Sequence, residues 1–294
     1  MTIYDRVDSN KRRSAILIGL FLVIVIALGW LFSVAYNSPA ILYIAVAISV
    51  FQAFFSYYSG DKVALSISGA NQIQRNDNPD LWNTVENISI TAGLPMPKVY
   101  MINDPAPNAF ATGRDPNHAS VAVTTGLLKH LNKTELQGVI AHEMSHVGNY
   151  DIRLMTIVVV LVGVIALLSD FFIRSRIFGF GDRRENNSGQ GIMLLVAVVA
   201  SILAPIAATL IQLAISRKRE FLADSSGALI TRYPEGLASA LEKISAYKRP
   251  MEHASNATAH LYISTPLGEK KTSYLSKIFS THPPIEERIK ALRS

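Results

Sequence analysis

The stretch His142-Glu143-Met144-Ser145-His146 places two imidazole rings four residues apart, with a carboxylate between them. Residues i and i+4 of an α-helix lie on one face, so both rings can reach a single metal ion there. Upstream, Asn132 is a candidate N-cap with Glu135 or Gln137 as its partner. The pattern is typical of zinc hydrolases. The alternative is a buried helix whose histidines only form hydrogen bonds.

A catalytic zinc site usually needs a third protein ligand. Because the chain contains no cysteine, that ligand has to be His, Asp or Glu. The strongest candidate is Glu220, with Asp224 one helical turn later. One acid can bind the metal while the other accepts the free ring N–H of a ligand histidine. An exposed acidic pair flanked by the basic residues 217–219 explains the same spacing equally well.

Four motifs in order carry a family resemblance. They are the stretch at 142–146, the later Glu220-Phe221-Leu222-Ala223-Asp224, the earlier Asn108-Ala109-Phe110-Ala111-Thr112-Gly113, and a terminal Thr281-His282-Pro283-Pro284-Ile285-Glu286-Glu287-Arg288-Ile289. Together they resemble HtpX, a family of bacterial membrane zinc metalloproteases that is related to the CAAX prenyl endopeptidases. The resemblance covers most of the chain. It implies a mostly α integral membrane protein that carries a gluzincin-like α+β zinc protease domain with a small β-sheet.

The resemblance also implies roles for the metal-binding residues. His142, His146 and Glu220 are expected to hold one Zn²⁺ per chain. Glu143 is expected to act as the catalytic base, and Asp224 to accept a hydrogen bond from the free ring N–H of a metal-binding histidine.

Further implied roles concern the substrate. His282 is expected to approach the oxyanion, and Asn108 with Ala109 to lie beside the substrate cleft. For His282 the competing interpretation is a turn residue ahead of Pro283 and Pro284, which fix an extended entry into the last helix.

Composition independently predicts a membrane protein, since 49% of the residues are hydrophobic and only 17% are charged. Residues 14–60 contain no charge, enough for two spans of ~20 residues with Asn37-Ser38-Pro39 as the turn. A signal peptide competes for the first span, but its apolar run exceeds the usual ~7 to 15 residues. Residues 154–173 and 191–216 are two further apolar segments, so four membrane helices are expected.

If both catalytic segments bind one ion, they lie on the same side of the membrane. Residues 154–216, which connect them, then cross the membrane twice or not at all. The basic residues 11–13 and 217–219 place the N-terminus and the catalytic segments in the cytoplasm by the positive-inside tendency. The polar loop 174–190 is also rich in arginine, which is unexpected for an outside loop, so a re-entrant or protein-covered helix pair remains an alternative. If the chain stays helical, His146 lies about 12 Å before the third span, near the membrane surface.

The expected organisation is therefore one catalytic domain interrupted by membrane segments. Its parts are residues 61–153 and 217–294, separated by the helix pair 154–216 and preceded by a membrane hairpin, 1–60. Short strands are predicted at 99–102 and 121–124, with 108–112 as a possible third. An edge strand among them would pair with an extended substrate. Amphipathic helices are predicted from Pro234 and around residues 285–292.

The expected function is a zinc endopeptidase acting on misfolded or damaged membrane proteins in stress response and quality control, at the cytoplasmic surface of the bacterial inner membrane. Its partners are protein or peptide substrates and the lipid bilayer. The net charge of +6 requires no nucleic acid, because much of it lies beside membrane segments. The alternatives are a prenyl-peptide processing protease and a non-enzymatic metal-binding scaffold. Substrate identity and oligomeric state have no signal in the sequence.

Overall fold

The structure is a computed structural model that describes residues 3–35, 37–163, 217–252, 255, 257–267 and 283–294. The described residues are mostly helical, with a small mixed sheet. The α-helices are α1 (Ile3–Ala35), α2 (Pro39–Ile67), α3 (Pro79–Ala92), α4 (Thr125–His130), α5 (Lys133–Gly148), α6 (Asp151–Gly163), α7 (Arg217–Thr231), α8 (Pro234–Ala246) and α9 (Ile285–Leu292). The strands are β1 (Ala70–Gln72), β2 (Lys98–Ile102), β3 (Ala109–Gly113) and β4 (Ala119–Thr124).

The two N-terminal helices form a hairpin. The turn lies at Asn37 and Ser38, where Asn37 has a φ of 46° and Pro39 begins α2. The helices touch closely, since a Cβ added to Gly29 would collide with the Cβ of Ala45. Among the described residues, one helix, α2, is long and apolar enough to cross a membrane. The bent pair α5–α6 passes the same test only if its two helices are counted together as one span. The expected segment 191–216 and the part of 154–173 beyond residue 163 lie outside the described residues.

The sheet has the strand order β1-β2-β4-β3. β2 and β4 are parallel, with Val99 opposite Val121, while β1 and β3 pair antiparallel at the two edges. The strands predicted at 99–102 and 121–124 are confirmed, as is the possible third, which is β3. β1 was not predicted. β3 is an edge strand, yet all of its residues are buried.

α5 is the central helix of the catalytic region. Asn132 caps its N-terminus by accepting the Glu135 N–H, and the Glu135 carboxylate accepts the Asn132 N–H in return. This confirms the predicted N-cap and selects Glu135 as the partner. All residues from 138 to 147 are buried between α3, α7, α8 and β3. From residue 138 onward, buried residues therefore lie on every face of α5, whereas its first residues, Lys133 and Thr134, are exposed.

The expected helical continuation from the metal helix toward the third span is wrong. α5 ends at Gly148, and α6 leaves it at an angle of 84°. Asn149 is the C-cap, and Tyr150 adopts a φ of 60°, a left-handed conformation that no helix continues through. The break turns the chain sharply just after His146 and places Asp151 beside that histidine.

α8 and α9 form the C-terminal layer, and both predicted helices are confirmed. α8 begins at Pro234 and packs closely on α5, because a Cβ on Gly138 would lie 2.7 Å from the Leu237 nitrogen. α9 packs on α8 through Ile285, Ile289 and Leu292. This layer brings the C-terminal helix into reach of α7.

Candidate metal centre

Two helices supply the three expected metal ligands. His142 and His146 lie on α5 and Glu220 on α7, and all three residues are buried. His146 Nε2 is 3.5 Å from Glu220 Oε1, and His142 Nε2 is 4.0 Å from Glu220 Oε2. The exposed acidic-pair interpretation of Glu220 is therefore wrong, since its side chain points into the core toward both imidazoles.

α7 comes close enough for this only because Gly227 faces α5. A Cβ at that position would lie 2.9 Å from the His142 backbone nitrogen, closer than Cβ atoms approach in proteins. The missing side chain lets the two helix backbones meet, and Glu220 and Asp224 then both face the histidine-bearing helix.

His142 is held by a carboxylate that is itself clamped. Its Nδ1–H donates to Asp224 Oδ1 at 2.9 Å. Asp224 also accepts two hydrogen bonds from the fully buried Arg288 of α9, at 2.8 and 2.7 Å. Burial lowers the pKa of His142 from 6.5 to about 4, although Asp224 acts in the opposite direction. Burial would raise the pKa of Asp224, but Arg288 and His142 outweigh it and hold that pKa at about 2.

His146 is held in the same way by different residues. Its Nδ1–H donates to Asp151 Oδ2 at 3.0 Å. Asp151 in turn accepts a hydrogen bond of 2.8 Å from the Asn10 amide on α1, and Arg219 Nε lies 3.3 Å from it. Burial acts to lower the pKa of His146, but Asp151 and Glu220 outweigh it and raise that pKa to about 9. With Nδ1 engaged, each ring presents Nε2 to Glu220.

Glu143 lies on the β3 side of the site. Its buried carboxylate accepts a hydrogen bond from the Ala111 N–H. Burial raises its pKa from 4.5 to about 7, and the nearby charge of Glu220 acts in the same direction. A carboxyl group with a pKa in that range exchanges a proton readily near neutral pH, as a general base requires.

The donor set fits a divalent cation. Ligand atoms bound tetrahedrally to zinc at ~2.0–2.1 Å lie about 3.4 Å apart, and the three candidate atoms here lie within 4.8 Å of one another. Charge agrees with this. Among the described residues the site gathers four carboxylates and two guanidinium groups: Glu143, Asp151, Glu220, Asp224, Arg219 and Arg288. With neutral imidazoles, one dication offsets the remaining negative charge.

Of the expected substrate residues, Ala109 begins the edge strand β3 and Asn108 directly precedes it. Both are buried, and both contact residues 257–264 of this chain. The Asn108 amide donates to the Ser264 carbonyl at 2.9 Å, and the Ala109 carbonyl accepts the Ile263 N–H at 3.0 Å. Residues 257–264 therefore cover this part of the β3 edge. His282 lies outside the described residues.

Sequence reasoning missed three residues of the site, namely Arg288, Asp151 and Asn10. A signal for Arg288 existed, because it falls between Ile285 and Ile289 on the apolar face of α9, where a charge needs a buried partner. Asp151 and Asn10 stand 141 residues apart, and no local pattern connects them.

Comparison with known proteins agrees with this geometry. The profile of peptidase family M48 matches residues 75–294. The chain belongs to peptidase family M48. The family assignment covers the whole described metal centre apart from Asn10, which lies in the N-terminal hairpin. The resemblance to HtpX is confirmed by relatives described as protease HtpX homologs.

The relatives match along their whole length. One from Caldanaerobacter subterraneus is 50% identical over all of this chain and 98% of its own, and one from Tropheryma whipplei is 49% identical over 99% and 97%. The crystal structure of Ste24p from S. mikatae shares the fold, with a TM-score of 0.50 and 17% identity over 99% of this chain and 66% of that longer one. This M48 member is a membrane-associated metalloprotease.

Proposed function

We propose that the chain is a zinc-dependent endopeptidase that hydrolyses misfolded or damaged membrane proteins at the cytoplasmic face of the bacterial inner membrane. The observation that carries the hydrolytic part is the position of Glu143. In sequence it lies between the two histidines that converge on Glu220, and its buried carboxylate accepts a hydrogen bond from the Ala111 N–H. A scaffold with an incidental metal has no need for such a base.

Three residues, His142, His146 and Glu220, would hold the metal. When bound, zinc polarises the scissile carbonyl and lowers the pKa of a coordinated water toward ~7. Glu143 accepts the proton of the attacking water and then delivers it to the departing amine. Asp224 and Asp151 orient the two rings through their Nδ1–H groups. His282 is proposed to donate to the developing oxyanion, a contact worth about 3 kcal/mol in other hydrolases.

For the substrate, we propose that an extended peptide lies along β3 with Asn108 and Ala109 beside the cleft. The Ala109 carbonyl is already used by Ile263 and the Ala111 N–H by Glu143. Strand addition at this edge therefore requires residues 257–264 to move away from β3 or the peptide to pair farther along the strand.

The membrane part of the proposal has four helices. The hairpin 1–60 and the pair 154–216 anchor a catalytic domain made of 61–153 and 217–294. α2 supports the membrane assignment of the hairpin, because its exposed side chains, such as Tyr43, Phe51 and Phe54, are unfavourable in water but not in lipid. The basic residues 11–13 and 217–219 favour the cytoplasmic side.

The decisive experiment is a substrate trap. Glu143→Gln keeps the size of the side chain and all metal ligands, so the purified full-length variant should retain metal and lose cleavage of an unfolded membrane protein by at least about a thousandfold. Glu86→Gln, on the surface of α3, is the matched control and should cleave normally. Retained proteolysis in Glu143→Gln contradicts the base assignment. Proteins held by the trap identify the substrates, and capture of prenylated peptides alone would favour the processing role instead.

A further inference from the structure

A cavity of about 400 Å³ opens behind the His146 ring, between α1, the α5–α6 junction and α7. Its inner wall is formed by the polar residues Asn10, Asn149 and Asp151, and its apolar wall by Phe221 and Leu222. The inner wall is the same group of atoms that supports the metal ligand, because Asn10 donates to both Asn149 and Asp151.

Three cationic side chains also line this cavity, namely Arg13, Lys218 and Arg219. Arg219 lies 3.3 Å from Asp151, whereas Arg13 and Lys218 stand 205 positions apart in the sequence and come from different helices. Neither forms an ion pair with any residue that the structure describes. Asp151 is the acidic residue in the same cavity, and its carboxylate already interacts with Asn10, His146 and Arg219. It therefore does little to offset the charges of Arg13 and Lys218. Two like charges that face one cavity repel each other, and an anion between them removes that cost.

In the proposed membrane arrangement, on which this step rests, Arg13 and Lys218 lie at the level of the lipid headgroups. Arg13 is the last charged residue before the uncharged run 14–60, and Lys218 follows the uncharged run 191–216 by two positions. Basic residues at such borders lie where anionic headgroups are concentrated. The phosphate of a membrane lipid would therefore lie at the same depth as Arg13 and Lys218.

An apolar track leads away from the cations along α1. Ile16 and Leu20 follow Arg13 at i+3 and i+7, on the same helical face. Both side chains are exposed, at 58% and 45%. A ligand with a phosphate and acyl chains matches this arrangement, with the charge at Arg13 and the chains along the helix, whereas inorganic phosphate would leave the track unused.

We propose that this cavity is a binding site for one anionic phospholipid, whose phosphate is held by Arg13 and Lys218. The inference goes beyond the proteolytic function and concerns the membrane-associated chain as such. The bound lipid ties α1 to α7, and Asn10 lies on the wall between the lipid and the His146 support. The site thus links the membrane surface to the metal centre.

The test uses the full-length protein, purified in neutral detergent and titrated with phosphatidylglycerol, phosphatidylcholine or inorganic phosphate, with bound lipid counted by native mass spectrometry. The expected result is one tightly held phosphatidylglycerol per chain and a raised unfolding temperature. Phosphatidylcholine and millimolar phosphate should give neither. Equal retention of both lipids, or an equal shift with inorganic phosphate, overturns the proposal of a lipid site.

A matched pair of variants separates this site from general charge attraction. Arg13→Gln with Lys218→Gln should weaken phosphatidylglycerol binding at least about tenfold, because both phosphate contacts are lost. Arg12→Gln with Arg217→Gln removes the same charge from the neighbouring exposed positions, outside the cavity, and should change binding less than about twofold. An equal loss in both pairs contradicts the site. Lys218→Arg, which keeps the cation, should bind like the wild type, and the single variant Lys218→Gln, which should weaken binding, serves as the readout if the double variant does not fold.

Discussion

The metal centre has two sides, and each orients one histidine ring by a different set of contacts. The His142 side consists of His142, Asp224 and Arg288, and the His146 side of His146, Asp151 and Asn10. In both, an aspartate holds Nδ1 so that Nε2 faces Glu220. Asp224 accepts two hydrogen bonds from a buried guanidinium of the C-terminal helix, whereas Asp151 accepts one from an amide of the N-terminal hairpin and has the Arg219 guanidinium of α7 beside it. The first side is an ionic unit internal to the catalytic domain. The second depends on α1, the first helix of the N-terminal hairpin.

Their electrostatics differ accordingly. Burial dominates at His142 and lowers its pKa to about 4, while the surrounding carboxylates prevail at His146 and raise its pKa to about 9. Charges near the two rings contribute to the contrast, since Asp151, Glu220 and Glu143 all favour protonation of His146, whereas at His142 the Arg288 charge opposes the effect of Asp224. The difference shows that the surplus negative charge of the site lies toward His146 and Glu220. Each variant below changes one side and leaves the other as its reference.

The largest expected effect is the loss of Arg288. Arg288→Leu leaves Asp224 charged and buried without its cation, which should lower the free energy of unfolding by about 3 to 5 kcal/mol. Thermal and denaturant unfolding in detergent measure it. Arg288→Lys keeps the charge but loses the double hydrogen bond, so it should lie between the variant and the wild type. A Leu variant as stable as the wild type would show that the ionic clamp does not support the His142 side.

The two aspartates come next. Asp224→Asn and Asp151→Asn should each weaken metal binding by about 10- to 100-fold, because the ring loses its charged acceptor. Asp224→Asn should also destabilise the protein, since Arg288 then remains without its carboxylate. Competition with a chromogenic chelator gives the affinity, and unfolding gives the stability. If both variants bind metal like the wild type, the rings do not need these supports.

A packing variant tests the close approach of α7 on the His142 side. Gly227→Ala places a methyl group 2.9 Å from the backbone nitrogen of His142 and should lower the free energy of unfolding by about 1 to 3 kcal/mol. Metal binding should also weaken, because Glu220 moves away from the two histidines. Gly148→Ala, at the end of α5 after His146, is the matched control, because its methyl group meets Leu94 at an ordinary 3.4 Å. Equal behaviour of the two variants would argue against a tight α5–α7 contact.

The smallest expected effect belongs to Asn10. Asn10→Ala removes one hydrogen bond to Asp151 and should weaken metal binding by about three- to tenfold, with the His142 side unchanged. Asn10→Asp places a second carboxylate beside Asp151, so it should weaken binding further. Chelator competition on the full-length chain again supplies the measurement. Wild-type affinity in both variants would mean that the N-terminal hairpin acts only as an anchor.

What the sequence could predict was local. The cap at Asn132, the strands around residues 99–102 and 121–124, and the helix from Pro234 follow from patterns a few residues long, and the structure confirms them. The pairing of α5 with α7 was also anticipated, because metal chemistry demands a third ligand and Glu220 with Asp224 stood at a suitable spacing.

What could not be predicted depends on contacts between distant segments. The chain turns by 84° at Asn149 and Tyr150, and although Gly148 and Asn149 are residues that commonly end helices, they do not determine the direction in which the chain leaves. The supports of His146 come from α1 and from the residue after that break. The cover on the β3 edge comes from residues more than 140 positions later. Such contacts arise from tertiary packing, which short-range periodicity does not encode.

The most direct measurement for the account is anomalous diffraction at the zinc edge from crystals of the full-length protein, combined with elemental analysis of the same sample. The account predicts one zinc ion per chain, within bonding distance of His142 Nε2, His146 Nε2 and a Glu220 carboxylate oxygen. An ion bound elsewhere, or a Glu220 carboxylate turned away from both imidazoles, would contradict it.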